Sequence, residues 1–102
     1  MAKILVVNRS SHDFSPAEEY GSLVYMTDGA LERFNTSKMY RLFKPYIDAS
    51  SPDDYILITG MTIMNVIACS MFSAKHDKLN ILIFKDQKGG AGAYLEKTMV
   101  FH

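Results

Sequence analysis

Residues 55–74 read Tyr-Ile-Leu-Ile-Thr-Gly-Met-Thr-Ile-Met-Asn-Val-Ile-Ala-Cys-Ser-Met-Phe-Ser-Ala. Tyr55–Ile58 is continuously apolar rather than alternating, as a strand buried on both faces should be. Thr59-Gly60-Met61-Thr62 turns the chain directly into Ile63–Ala74, which is apolar nearly all round (Ile63, Met64, Val66, Ile67, Ala68, Met71, Phe72). A helix of that kind is wedged between other elements or covered by a second subunit. Thr62 is expected to cap it. A buried strand feeding a buried helix is the unit from which parallel sheets are wound.

The same unit recurs on either side. Ile4–Val7, Leu23–Met26 and Ile81–Phe84 are further short apolar runs, separated by stretches long enough to cross a sheet. Ser15-Pro16-Ala17-Glu18 has the form of a helix start, with Ser as the cap, Pro at the first position and Glu three residues on. It opens a short helix through Tyr20, closed by Gly21. Another helix begins near Thr36 or Ser37, with Met39, Leu42, Phe43 and Tyr46 at the spacing of one buried face. Pro45 predicts a break or kink there, and Ala49–Asp54 a loop. At the end of the chain, Leu95, Met99 and Phe101 alternate with Glu96 and Thr98. That marks a half-exposed strand, and Lys85–Ala93 before it is too short for a helical crossover, so strands four and five form an antiparallel hairpin. The pattern predicts one α/β domain over residues 1–102: a small Rossmann-like or flavodoxin-like sandwich, with a mainly parallel sheet of about five strands and an antiparallel C-terminal edge.

Composition narrows the function. With 48% hydrophobic and 22% charged residues, the chain has the balance of a folded soluble protein. Eleven Lys and Arg against eleven Asp and Glu give zero formal charge, without the net basic character that displaces counterions from nucleic acid. The lone Cys69 excludes an internal disulfide and multi-cysteine metal sites. No apolar run approaches the roughly 18 residues of a membrane span, and the apolar patch in residues 1–8 is short for a secretory signal. The expectation is a reduced, cytoplasmic protein with no nucleic-acid or membrane partner, no metal and no cofactor. The apolar load (six Tyr, six Phe, seven Met) favours a homo-oligomer.

Polar residues gather where the strands end. Asn8-Arg9-Ser10-Ser11-His12-Asp13 follows the first strand, Thr27-Asp28-Gly29 the second and Thr59-Gly60-Met61-Thr62 the third. Open parallel sheets bind ligands beyond those ends, where strand order reverses. Gly60, Thr62 and Asn65 at the start of a helix form a candidate phosphate cradle, since free N–H groups there carry partial positive charge. Arg9 and Arg33 are candidates to neutralise the anion, Arg33 lying in Asp28–Asn35, a connection longer than most. Asn8, Ser10, Ser11, His12, Thr27, Asp28 and Thr59 complete the candidate ligand-binding set. His12, Asp13 and Asp28 are the residues an enzyme would use, His as acid or base and Asp to orient it. No nucleophile elbow surrounds Ser10 or Ser11, and neither the dinucleotide fingerprint nor the phosphate-loop order is present, Lys88-Gly89-Gly90-Ala91-Gly92 reading as a hairpin connection. Cys69 reads as a buried inert thiol. His76 and His102 have no evident partner.

Residues 7–15 (VNRSSHDFS), 51–57 (SPDDYIL) and 64–69 (MNVIAC) resemble a group of small bacteriophage-encoded proteins of about this length. The likeness runs to Phe84 and fades in the tail. No catalytic motif comes with it, so no functional residue is carried over. The resemblance implies a protein acting in the cytoplasm of an infected bacterium. By analogy with small phage proteins that sequester nucleotide signals of host defence, the expected function is binding of a nucleotide-derived or phosphorylated small molecule. A small hydrolase or transferase acting through His12 and Asp13, and an inhibitor docking on a host protein, are the alternatives.

Overall fold

Four parallel strands and one antiparallel strand build the sheet in the computed structural model, which describes residues 1–86, 90 and 92–101. The elements are β1 (Lys3–Val6), a 3-10 helix (Ser15–Tyr20), β2 (Ser22–Tyr25), α1 (Thr36–Asp48), β3 (Tyr55–Leu57), α2 (Thr62–His76), β4 (Lys78–Lys85) and β5 (Ala93–Val100). Their order across the sheet is β2-β1-β3-β4-β5, with only the β4–β5 pair antiparallel. This is the doubly wound α/β order. The chain steps outward from β1 to β2, then returns past β1 to β3, so strand order reverses between β1 and β3. In sheets of this order a crevice forms beyond the carboxyl ends of those two strands.

Alternate residues of the strands face two different cores. Leu5, Val7 and Ile56 pack against Met39, Phe43 and Ile47 of α1 and Met64, Ala68 and Phe72 of α2. The α1 stripe is Met39, Phe43, Ile47, spaced four apart, whereas the expected Leu42 and Tyr46 lie at its margin, more than a third exposed. Full burial of such side chains is worth about 1.5–3 kcal/mol each. The helix begins at Thr36 as expected, and Asn35 caps it, accepting from the Lys38 N–H at 3.1 Å. The helix does not break at Pro45 but runs through it to Asp48. Pro45 falls in the last turn, where its missing N–H costs one bond to the carbonyl of Arg41, an exposed residue whose oxygen water can serve. Ala49–Asp54 is the expected loop.

The opposite core is thinner. Ile4, Val6, Leu57 and Leu82 are covered there by Phe14, Ala17 and Tyr94 rather than by a long helix. The predicted helix at Ser15 is a 3-10 helix, and Ser15 does not cap it; Asp13 Oδ1 accepts from the Ser15 N–H at 2.9 Å. A short polar side chain two residues ahead closes that bond within a tight turn. Gly21 ends the helix against β1, where a Cβ would stand 2.2 Å from the Ala2 carbonyl oxygen. Tyr20 donates its hydroxyl to the Tyr94 carbonyl at 3.0 Å and Tyr55 donates to Glu96, so β5 is tied to this face. Burial raises the Tyr20 hydroxyl pKa, and the Glu96 bond takes that of Tyr55 up to about 12.

At the amino ends of the strands, buried polar groups satisfy one another. Asp54 accepts from Lys3 N–H at 2.8 Å and Ser51 N–H at 2.9 Å. Asn80 donates to the Pro52 and Asp54 carbonyls and accepts from Thr98. His76, for which the sequence offered no partner, stands 2.9 Å from Ser50 Oγ and packs on Phe72. Because Ser50 Oγ lies 2.6 Å from the Ile47 carbonyl and donates to it, the imidazole Nε2 is the donor to Ser50. Among the described residues no helix is long and apolar enough to cross a membrane.

Candidate functional site

The three loops at the carboxyl ends are locked to one another. Buried Asn8 donates to the Gly29 carbonyl at 3.1 Å and lies 3.8 Å from Met61 Sδ. Its Oδ1 is 2.7 Å from Thr27 Oγ1, which is also 2.7 Å from the Val7 carbonyl. Arg9 N–H donates to the Thr27 carbonyl, and Arg9 and Asp28 form a parallel bridge beyond β1 and β2. In the third loop the Asn65 amide accepts from Thr59 N–H at 3.3 Å and Thr59 Oγ1 at 3.1 Å and donates to the Thr59 carbonyl at 2.8 Å. Met61 N–H in turn donates to Thr59 Oγ1. Asn8, Thr27, Thr59 and Asn65 thus hold the loops in shape, and their polar atoms are engaged inside the protein.

Two hollows of about 420 Å³ each open on either side of the Gly60–Met61 peptide. One lies over the carboxyl ends of β1, β3 and β4, walled by Ser10, His12, Phe14, Phe84 and Tyr94. The His12 ring centroid is 4.8 Å from that of Phe14 and 6.2 Å from that of Phe84, and Phe84 meets Tyr94 edge-on at 5.4 Å. The other hollow sits at the start of α2 and is walled by Leu31, Arg33, Phe34, Met61, Thr62 and Ile63. Thr62 is the first helical residue rather than the cap; Met61 holds the cap position, without a side-chain cap bond. The N–H groups of Thr62, Ile63 and Met64 have no acceptor within the helix, as in any first turn. Here they border a hollow that also holds a guanidinium. A Cβ on Gly60 would touch nothing within 4 Å, so the room beside it is open to both hollows.

The sequence candidates divide accordingly. Asn8, Ser10, His12, Arg33, Thr59, Gly60 and Thr62 line the hollows, Asn8 and Thr59 with their polar side-chain atoms bonded within the protein, and the Thr59-bound Asn65 lies behind them. Arg9 lies outside: its guanidinium stacks over Tyr25 at 4.0 Å, with Nε 3.7 Å from Asp28. Ser11 is exposed and lines neither hollow. His12, Asp13 and Asp28 are not assembled into a relay. Asp13 is turned to Ser15, a bond that lowers its pKa, Asp28 is beside Arg9, and among the described residues no carboxylate forms an ion pair with His12. Ser10 Oγ accepts from the His12 N–H at 3.2 Å, a local turn.

Phe14, Phe84, Tyr94 and Met61 were missed by sequence reasoning. The hairpin register would have found two of them, because Phe84 stands opposite Tyr94, at the end of a strand next to the crevice. Gly92 also has a role the sequence did not show: a Cβ there would stand 2.0 Å from the Phe84 ring. The rest of Lys88–Gly92 other than Gly90 and Gly92, together with His102, lies outside the described residues. Elsewhere, the groove between α1 and α2, about 940 Å³, is wider and shallow. Two of its charged groups are engaged, Lys44 by Asp48 and Lys75 by the Ile47 and Asp48 carbonyls, and Arg41 also lines it. Cys69 is partly buried in α2, which pushes its thiol up to about 11 and leaves it protonated. No group of three or more His, Cys, Asp or Glu side chains arranged to hold a metal occurs among the described residues.

Residues 3–98 match the family described as phage Pam3 gp32-like protein. No curated protein and no solved structure matches the chain.

Proposed function

The chain belongs to the phage Pam3 gp32-like protein family, and from that premise we propose that it binds a phosphorylated, nucleotide-type small molecule across the Gly60–Met61 ridge and holds it without turnover. One observation carries the reading. An aromatic-walled hollow and a hollow bordered by Arg33 and free helix N–H groups share Gly60 and Met61. An aromatic wall suits a flat base, which stacks on rings or meets them edge-on. Arg33, Thr62 and the first-turn amides suit a phosphate, which takes charge-assisted bonds from guanidinium and backbone alike. Ser10 and His12 lie where a sugar hydroxyl would sit.

Binding is favoured over catalysis because among the described residues the candidate acids are otherwise placed: Asp13 accepts within its turn and Asp28 lies beside Arg9. A phage protein that binds without reacting serves its host cell's infection by removing a ligand from circulation, so we read the site as a trap for a nucleotide signal of bacterial defence. Titration calorimetry with adenosine and guanosine monophosphates, their cyclic forms and inorganic phosphate tests this. Saturable binding of a nucleotide, weakened in Arg33→Ala and with the nucleotide recovered unchanged, is expected. Turnover that stops in His12→Ala while binding persists would replace the trap with an enzyme. Binding of none of these probes would remove the reading.

A further inference from the structure

The outer edge of β5 carries backbone groups whose directions are fixed by its pairing with β4. Phe101 N–H donates to the Asp77 carbonyl at 3.0 Å, and the register continues from Lys78 opposite Val100 to Lys85 opposite Ala93. Antiparallel ladders alternate, so odd-numbered residues of β5 bond to β4. The N–H and C=O groups of Tyr94, Glu96, Thr98 and Val100 therefore point to the open edge. The inner strand obeys the same alternation, since Leu82, opposite Glu96, turns its carbonyl away to the Ile58 N–H at 2.9 Å. At Tyr94 the edge carbonyl is already taken by the Tyr20 hydroxyl. Glu96, Thr98 and Val100 remain, and their outward groups have no partner among the described residues. Neither proline nor a bulge interrupts the strand, so of the devices that blunt such an edge β5 carries only the charges of Glu96 and Lys97.

We propose that β5 pairs antiparallel with β5 of a second copy of this chain, in the register that sets Thr98 opposite Thr98 on a two-fold axis. Charge and the engaged Tyr94 select that register. A two-fold axis perpendicular to the sheet keeps each side chain on its own face, so opposed residues have the same parity. Centring on Glu96 sets two carboxylates face to face, and centring on Lys97 sets two ammonium groups face to face, each costly at cross-strand distance. Both also bring Tyr94 into the new ladder. Centring on Thr98 pairs Glu96 with Val100 twice and Thr98 with itself, so the three free residues meet one another and Tyr94 faces only the position of His102, outside the described residues. On the α2 face the same register lays Leu95 against Phe101 and Met99 against the Lys97 stem. These are the side chains that β5 leaves exposed, Leu95 and Met99 by 40% and Phe101 by 54%. The result is a continuous ten-stranded sheet whose ligand hollows remain open, because the new ladder lies toward the opposite end of β5.

The full chain in analytical ultracentrifugation is expected to sediment at about twice its 11.5 kDa. Thr98→Pro removes an edge N–H and leaves the β4 ladder intact; it is expected to sediment as a monomer with its circular dichroism unchanged. Oxidation supplies a test that needs no destabilising change. In a Cys69→Ala background, Thr98→Cys is expected to cross-link to a dimer, since opposed hydrogen-bonded residues stand about 5.5 Å apart at Cα, within disulfide reach. Glu96→Cys is expected to stay uncross-linked, its opposite residue being Val100. A monomeric wild type at all concentrations overturns the proposal, including one that takes up a foreign strand at this edge. So does a dimer in which Glu96→Cys cross-links and Thr98→Cys does not.

Discussion

The two ends of the sheet are both rich in polar residues, and they use them differently. At the amino end Asp54, Asn80 and Ser50 are buried and His76 partly so, and their hydrogen bonds close on one another and on nearby backbone. At the carboxyl end there are two tiers. Asn8, Thr27, Thr59 and Asn65 close on themselves in the same way. Above them Ser10, His12, Arg33 and Thr62 border open hollows with most of their hydrogen-bonding capacity uncommitted. A buried polar cluster is explained by the cost of leaving its members unpaired. The second tier has no such internal account, and the proposed ligand is what would give it one.

That contrast predicts different consequences for stability and affinity. Asp54→Ala leaves the backbone N–H groups of Lys3 and Ser51 without their acceptor, and is expected to lower stability by about 2–4 kcal/mol without altering nucleotide affinity of the folded fraction. Urea unfolding beside calorimetric titration separates the two, and a loss of affinity at full folding would break the division between the ends. Asn65→Ala is expected to affect both properties, by about 1–3 kcal/mol in stability and several-fold in affinity, because the Thr59–Met61 loop it holds shapes both hollows. Loss of stability alone would place the ligand elsewhere.

Arg33→Ala sharpens the contrast from the other side. It is expected to leave the urea midpoint within about 0.5 kcal/mol of wild type and to weaken nucleotide monophosphate binding about tenfold, the scale of one charge-assisted bond to phosphate. The smallest effect concerns His76. Burial, then the neighbouring Lys75, lowers its pKa below the ordinary 6.5. The unfolded chain therefore takes up this proton first as pH falls. The stability contributed by the neutral ring is complete above about pH 6.5 and is lost as pH drops through the lowered value. Thermal midpoints should show wild type exceeding His76→Gln by more at about pH 7.5 than at about pH 5.5. The reverse order would mean that the ring is packed as a cation.

Much of the scaffold was legible because parallel strands advertise themselves. Tyr55–Ile58 is apolar on both faces because both faces are covered, Ile81–Phe84 follows it only as far as Leu82, with Ile83 and Phe84 exposed, and the short Lys85–Ala93 connection left only a hairpin. Less was legible where a bond replaces a pattern. Asp13 was legible both as a catalytic candidate and as the start of a turn, and the structure shows it accepting the Ser15 N–H that begins the 3-10 helix, a bond that composition cannot express. Pro45 was read as a breaker, yet its position in the last turn of α1 leaves a single carbonyl to be served by water. Within the site, loop placement followed from topology, since strand order reverses where Asn8 and Thr59 lie. The division into clamp and open tier did not, because Asn65 pairs with Thr59 through coordinates and not through spacing. The aromatic wall was hidden for a related reason: Phe84 and Tyr94 come from β4 and β5, away from the three loops, and meet only through cross-strand register.

The central claim is that the open tier holds a nucleotide-type ligand, and the protein's own spectrum gives direct access to it. The chain has no tryptophan, so a bound base raises the ratio of absorbance at about 260 nm to that at about 280 nm well above that of tyrosine alone. The full chain would be purified from bacteria with active nucleotide signalling and its spectrum recorded. Heat-released small molecules would then be identified by mass spectrometry, with Arg33→Ala carried in parallel. The account predicts an intact phosphorylated nucleotide near one per chain from wild type and far less from the variant. A tyrosine-only spectrum with nothing released, from a protein that also fails to bind the calorimetric probes, would contradict it.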